Sequence, residues 1–153
     1  QGFTEPDPKI DLSGVDVARK ILILIRESGY QMEMEQIENN CFLPDECMQT
    51  NNNEDFFASL IKHENHFNQL LKEAQAKDSR IKFVASFDNG KAAVGLQFIP
   101  KESPFYNLEG KDNIVEFYTD RYVDQPLIIK GAGAGAAVTA SGIFADVVRI
   151  GNV

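Results

Sequence analysis

Hydrophobic and polar positions divide the chain into helical patterns in its first half and strand patterns after residue 80. Residues 14–29, GVDVARKILILIRESG, read as a helix with Ser13 as its N-cap, Asp16 in its first turn and Gly29 as its stop. Val15, Val17, Ala18 and the ILILI run at 21–25 surround most of its circumference, so burial on more than one side is expected. A polar connection with Asn51, Asn52 and Asn53 leads to two short amphipathic patterns at about 54–62 and 65–77. The period then changes to two. Ile81, Phe83, Ala85 and Phe87 alternate with polar or small residues, Asp88-Asn89-Gly90 supplies a tight turn, and Val94, Leu96 and Phe98 alternate on the return, which predicts a β-hairpin. Strands are also expected at 114–119 and in the apolar run QPLIIKG at 125–131, and a helix rich in small residues from Gly135 to about Arg149.

Helices, then strands, then a closing helix predict an α+β fold: a mixed β-sheet with helices packed mainly on one face and the other face available for a dimer partner. The 153 residues carry no repeat and no dividing linker, so one domain over 1–153 is expected.

Charge and cysteine content narrow the function. A net charge of −8 without a basic cluster makes nucleic acid an unsuitable partner, since its phosphates would be repelled. The longest apolar run, residues 21–25, is far short of the roughly 20 residues a membrane-spanning helix needs. The first residues are acidic and broken by proline, unlike a signal peptide. A cytoplasmic protein, or the mature form of an organelle-imported one, is expected. Cys41 and Cys47 have neither CxxC spacing nor a neighbouring histidine at zinc-finger spacing, and read as reduced thiols. The start at Gln1 instead of Met reads as processing or truncation.

Three groupings could carry chemistry. In GAGAGAAVTASG, Gly131, Gly133 and Ala136 satisfy G-x-G-x-x-G/A between a strand and a helix, but the chain ends at Val153, before the second strand and acidic residue of a dinucleotide fingerprint could occur. These glycines therefore either allow tight strand-to-helix packing or let backbone approach a ligand or another domain closely, with the helix start offering N–H groups to an anion. At the other end, Asp16 and Lys20 share a helical face. They form either a surface ion pair or, because Lys20 immediately precedes the apolar run, a partly desolvated lysine held charged by a carboxylate. Glu5, Asp7 and Asp11 are expected on a loop stiffened by Pro6 and Pro8, and several acceptors beside one ammonium suit a small zwitterion. His63 and His66 could share a metal, yet no third ligand is evident and no metal site is assigned. Neither GxSxG nor a P-loop occurs, which leaves hydrolase and kinase readings without support.

Residues 2–20, GFTEPDPKIDLSGVDVARK, closely resemble the substrate-site signature of homoserine dehydrogenases, G-[YF]-x-E-P-D-P-x-x-D-L-x-G-x-D-x-x-x-K, and fill each of its fixed positions. The tail GAGAGAAVTASGIFADVVRI is similar to that family's closing segment, and SPFYNLEGKDNIVEFYT to its substrate-domain strands. The resemblance implies an oxidoreductase interconverting aspartate semialdehyde and homoserine with NADP or NAD. Lys20 would be the proton donor and acceptor at the substrate oxygen, assisted by Asp16. Glu5 and Asp11 would contact homoserine, Asp7 would support them, and the turn containing Gly133 and Gly135 would touch the cofactor. It also implies a homodimer formed through the sheet and a preceding nucleotide-binding domain that residues 1–153 do not include. The helical stretch 54–77 is most similar to bifunctional aspartokinase/homoserine dehydrogenases, so the chain reads as the C-terminal portion of such a bacterial polypeptide, inactive by itself. The alternative reading is a non-catalytic assembly module derived from this domain.

Overall fold

The computed structural model describes residues 5–152. Residues 2–4, which open the signature, lie outside them. Two compact units divide the described chain, residues 5–106 and residues 107–152.

In the larger unit, helix α1 (Pro8–Leu12) and helix α2 (Val15–Glu27) precede a 3₁₀ turn at Met34–Gln36 and strand β1 (Ile37–Asn40). Helices α3 (Asp45–Met48), α4 (Asn53–Lys62) and α5 (Glu64–Ala76) follow, and then strands β2 (Arg80–Asp88) and β3 (Lys91–Ile99). The strands form one mixed sheet in the order β1-β3-β2, with β1 parallel to β3 and β2 antiparallel to it. The hairpin is as the alternation predicts. Asn89 and Gly90 both take positive φ, 47° and 76°, which gives the turn the twist that two antiparallel strands require. Register sets Ile81 opposite Phe98, Phe83 opposite Leu96, Ala85 opposite Val94 and Phe87 opposite Ala92, so the alternating apolar residues of both strands share one face.

Helix α2 lies on that face. Ala18, Leu22 and Ile25 are buried with Met32, Ile37, Ala92 and Val94, while Val17, Ile21, Phe83, Ala85 and Phe87 close around them. Burial on several sides of α2 is not what the structure shows: Ile23 is 60% exposed. A helix lying on one face of a single sheet has only one stripe to bury, and positions 18, 22 and 25 fill it. A second cluster joins Leu43, Cys47 and Phe56 to Leu12, Phe42, Leu60 and Phe67. It links α1 to α3, α4 and α5, and the Phe42 ring meets both Phe67 and Phe83, which connects it to the sheet. Both cysteines are free thiols, Cys41 exposed and Cys47 buried against the Ser59 hydroxyl at 3.3 Å.

The smaller unit consists of the antiparallel pair β4 (Asp112–Thr119) and β5 (Tyr122–Ala132), followed by helix α6 (Ala136–Gly151). One mixed sheet was expected; the strands instead form a three-stranded mixed sheet and a separate two-stranded ladder. The fold is α+β. Leu127, Ile128 and Ile129 of β5 are each more than 40% exposed, because a two-stranded ladder has no second layer of its own to cover it. Helix α6 likewise buries none of its residues and presents Ile143, Phe144, Val147 and Ile150 along one stripe.

The burial of α2 generates a contrast. Ile25→Ala is expected to cost about 2–5 kcal/mol of stability, and Ile23→Ala, two positions away, less than about 1 kcal/mol. Urea unfolding midpoints measure both, and equal losses would contradict a single buried stripe.

Candidate active site

The signature folds as two helices meeting at a glycine. Asp7 caps α1, its Oδ1 accepting the Lys9 backbone N–H at 2.9 Å, and Pro8 occupies the first helical position, where a missing N–H costs nothing. The segment expected as a proline-stiffened loop is therefore a helix over Pro8–Leu12, short because Ser13 ends it by donating its backbone N–H to the Lys9 carbonyl at 2.8 Å. Ser13 thus closes α1 and does not cap α2; Gly14 takes the N-cap position instead, with φ +85°. Positive φ favours glycine, and space demands it: a Cβ at this position would stand 2.5 Å from Cζ of Phe83 and 2.9 Å from Oδ1 of Asn39. The Asn39 amide also donates to the Ser13 carbonyl at 2.9 Å. Strands β1 and β2 thus fix the corner between the two helices.

The corner joins the helix that carries Asp11 to the helix that carries Asp16 and Lys20. The Asp11 carboxylate accepts the backbone N–H of Glu5 at 2.9 Å, which ties the two ends of the acidic segment together. Helix α2 carries Asp16 and Lys20, whose Oδ2 and Nζ are 2.7 Å apart. Helical geometry places 16, 20 and 23 about half a turn from the stripe at 18, 22 and 25, so the pair stands on the outward face of α2. Of the two readings open for the pair, the structure shows the solvated one. The Lys20 side chain is 56% exposed and that of Asp16 40%, and such an ion pair contributes roughly 0.2–1 kcal/mol.

His63 and His66 each engage a partner of their own. His63 Nε2 lies 3.1 Å from a Glu46 carboxylate oxygen and His66 Nε2 2.9 Å from the Phe42 carbonyl. Among the described residues no group of three or more His, Cys, Asp or Glu side chains could hold a metal ion. An open cavity of about 440 Å³ beside Phe42, His63, His66 and Leu96 includes none of the signature residues.

In the smaller unit, Gly133 and Gly135 form the turn from β5 into α6. The Gly133 N–H donates to the Lys111 carbonyl at 2.9 Å, and a Cβ on Gly133 would meet the Asn113 side-chain nitrogen at 2.0 Å. A side chain at this position would displace the exposed Asn113 side chain. Gly135 has φ +120° and begins α6 with no side-chain cap, which leaves a helix start without side chains whose N–H groups suit a polar or anionic group.

Sequence reading missed three participants. Asn39 lies in IENN, whose polarity hides a strand; Phe83 was read only as core; and Lys9 occupies a position the signature leaves free.

The chain is similar to known proteins over nearly its whole length. The family model for homoserine dehydrogenase matches residues 1–148. The bifunctional aspartokinase/homoserine dehydrogenase 1 of Arabidopsis thaliana is 42% identical over 151 residues, which are 97% of this chain and 17% of that protein. The homoserine dehydrogenase of Schizosaccharomyces pombe is 40% identical over 152 residues, 97% of this chain and 40% of that protein. Among solved structures, a Candida auris protein of unknown function superposes with a TM-score of 0.85 at 35% identity, covering 97% of this chain and 42% of that one. A putative homoserine dehydrogenase from Archaeoglobus fulgidus gives 0.67 at 25% identity, covering 96% and 38%. The chain belongs to the homoserine dehydrogenase family, a family of oxidoreductases. It spans less than a fifth of the bifunctional relatives and about two fifths of the monofunctional one.

If the corner at Gly14 is set by both φ and space, Gly14→Ala should cost more than Gly29→Ala, which shares the positive φ (+91°) but has open space around it. The expected losses are about 3 kcal/mol or more against about 1 kcal/mol. Unfolding of the two variants checks this, and equal losses would show that Phe83 and Asn39 yield freely.

Proposed function

We propose that this chain is the substrate-binding and catalytic portion of a homoserine dehydrogenase, interconverting L-aspartate 4-semialdehyde and L-homoserine within a longer polypeptide. The observation that carries the reading is the outward-facing Asp16–Lys20 pair on the helix that the Gly14 corner joins to the acidic segment of Glu5 and Asp11. An aldehyde reduced to an alcohol needs a proton at its oxygen, and the product homoserine carries an ammonium that carboxylates can hold.

In this reading the Lys20 ammonium gives a proton to the substrate oxygen as the carbonyl is reduced, and the Lys20 amine takes it back from the hydroxyl in the reverse direction. Asp16 keeps the Lys20 side chain directed at that oxygen. Glu5 and Asp11 hold the substrate amine, and Asp7, occupied in capping α1, supports them. When bound, NADP or NAD supplies the redox chemistry, exchanging hydride with the substrate carbon, and the Gly135 end of the glycine turn borders it.

The rest of the enzyme is part of the proposal. The chain covers 17% and 40% of two relatives, in keeping with a nucleotide-binding domain that precedes it in the full polypeptide, and with a bifunctional aspartokinase/homoserine dehydrogenase as the parent. The stripe of Ile143, Phe144, Val147 and Ile150 on α6 offers a surface for that domain. The exposed apolar residues of β5 offer one for a second copy in a homodimer. Without its nucleotide-binding domain the chain is inactive. No helix among the described residues is long and apolar enough to cross a membrane, and we place the enzyme in the cytoplasm.

Loss of homoserine binding is the expected effect of Glu5→Ala; a full polypeptide that dimerises without any response to homoserine would favour the assembly-module reading.

A further inference from the structure

Lys9 stands inside the acidic segment yet its ammonium is engaged elsewhere. Nζ donates to the Thr50 carbonyl at 2.5 Å and lies 3.9 Å from Oδ2 of Asp7, and its side chain is only 18% exposed. Thr50 belongs to the connection between α3 and α4. At the end of that connection Asn53, the first residue of α4, donates from Nδ2 to the Pro6 carbonyl at 3.0 Å. Residues 6 and 9 are therefore fastened to one short stretch of chain, by bonds that span 47 and 41 positions of sequence and run in opposite senses.

That stretch is itself fixed. The Thr50 hydroxyl donates to the Cys47 carbonyl at 2.9 Å, and the Asn52 side chain caps α4 by accepting the Asp55 backbone N–H at 2.8 Å. Cys47 and Phe56, immediately on either side, are completely buried. Helix α1, by contrast, has five residues and buries none of them. A helix of that length has no stability of its own, and its position is whatever its tethers make it. At one end the tethers are the Gly14 corner and Leu12, which packs against the Leu43, Cys47 and Phe56 cluster. At the other they are Lys9 and Asn53.

We infer that Lys9 is a positioning residue for substrate binding: it pins α1, and with it the Glu5 and Asp11 carboxylates, to the connection between α3 and α4, with Asn53 as a second anchor. The inference rests on the functional reading above, in which those carboxylates hold the substrate amine. A charged donor with little exposure holds its acceptor more firmly than a neutral one, and removing it leaves the Thr50 carbonyl without this donor and Asp7 without its cation.

The test is steady-state homoserine oxidation by the full polypeptide carrying Lys9→Met, Lys9→Arg or Asn53→Ala. Lys9→Met should raise KM for homoserine about tenfold with kcat changed by less than about threefold, and Lys9→Arg, which keeps a charged donor, should restore KM to within about threefold of the wild type. Asn53 is exposed, so Asn53→Ala should fold whatever becomes of Lys9→Met, and should raise KM by about twofold to fivefold. A wild-type KM in folded Lys9→Met and Asn53→Ala would overturn the inference, leaving the two residues with a purely structural part. So would a hundredfold loss of kcat at unchanged KM in Lys9→Met, which would put Lys9 in the chemistry. A wild-type polypeptide that does not oxidise homoserine at all would instead bring down the functional reading on which the inference stands.

Discussion

The close approach of Gly14 to Phe83 and Asn39 is the constraint on which the candidate site depends. A left-handed residue with no room for a Cβ joins two helices of very different character, one short and with no fully buried residue, the other long and half buried. Helix α2 is placed by its apolar stripe against β2 and β3. Helix α1 has no such stripe, and its direction is set by the Gly14 corner, by Leu12 in the second cluster and by the bonds from Lys9 and Asn53. The carboxylates of the signature and the lysine at its end are thereby oriented by the two hydrophobic clusters, although none of these side chains belongs to either.

The exposure of Lys20 follows from the same geometry. Positions 16, 20 and 23 of α2 turn away from the sheet because 18, 22 and 25 turn toward it. A proton donor on that outward face can meet a substrate without disturbing the core that positions it, and the exposed Ile23 beside it marks a surface able to receive something apolar as well as polar. In the smaller unit, β5 and α6 leave much of their apolar surface uncovered. Elements of this kind gain their stability from layers that other parts of a polypeptide or a second copy provide, which accords with a chain that spans only part of the relatives it matches.

Legibility in the sequence tracked how local the determinant was. The hairpin β2–β3 could be read because alternation and Asn89-Gly90 are both written in consecutive residues. The same holds for α4, α5 and α6. Strand β1 was hidden, since IENN has almost no apolar signal and its parallel partner β3 lies more than fifty positions away. Helix α1 was hidden too: Pro8 in DPKIDL marks a turn or a first helical turn equally well, and only the Asp7 cap decides. Ser13 looked like the N-cap of α2 because serine favours that role, but the corner needs φ +85°, which glycine tolerates and serine does not. The apolar run after Lys20 made its desolvation one of two open readings, although a helix carries successive residues to different faces, and the structure shows the other. The candidate residues themselves came from the resemblance of residues 2–20 to a family signature; spacing alone left Asp16 and Lys20 as an ordinary ion pair. The anchors from Lys9 and Asn53 were beyond reach because they join segments more than forty positions apart.

The account stands or falls on Lys20 as the group that moves the proton at the substrate oxygen. Turnover of homoserine by the full polypeptide carrying Lys20→Ala, compared with the wild type at the same pH, measures this directly. A loss of about 100-fold or more in kcat, with folding intact, is the result the account predicts. Turnover within a few-fold of the wild type would contradict it, and would leave the outward-facing pair on α2 as a surface ion pair that shapes the helix and nothing more.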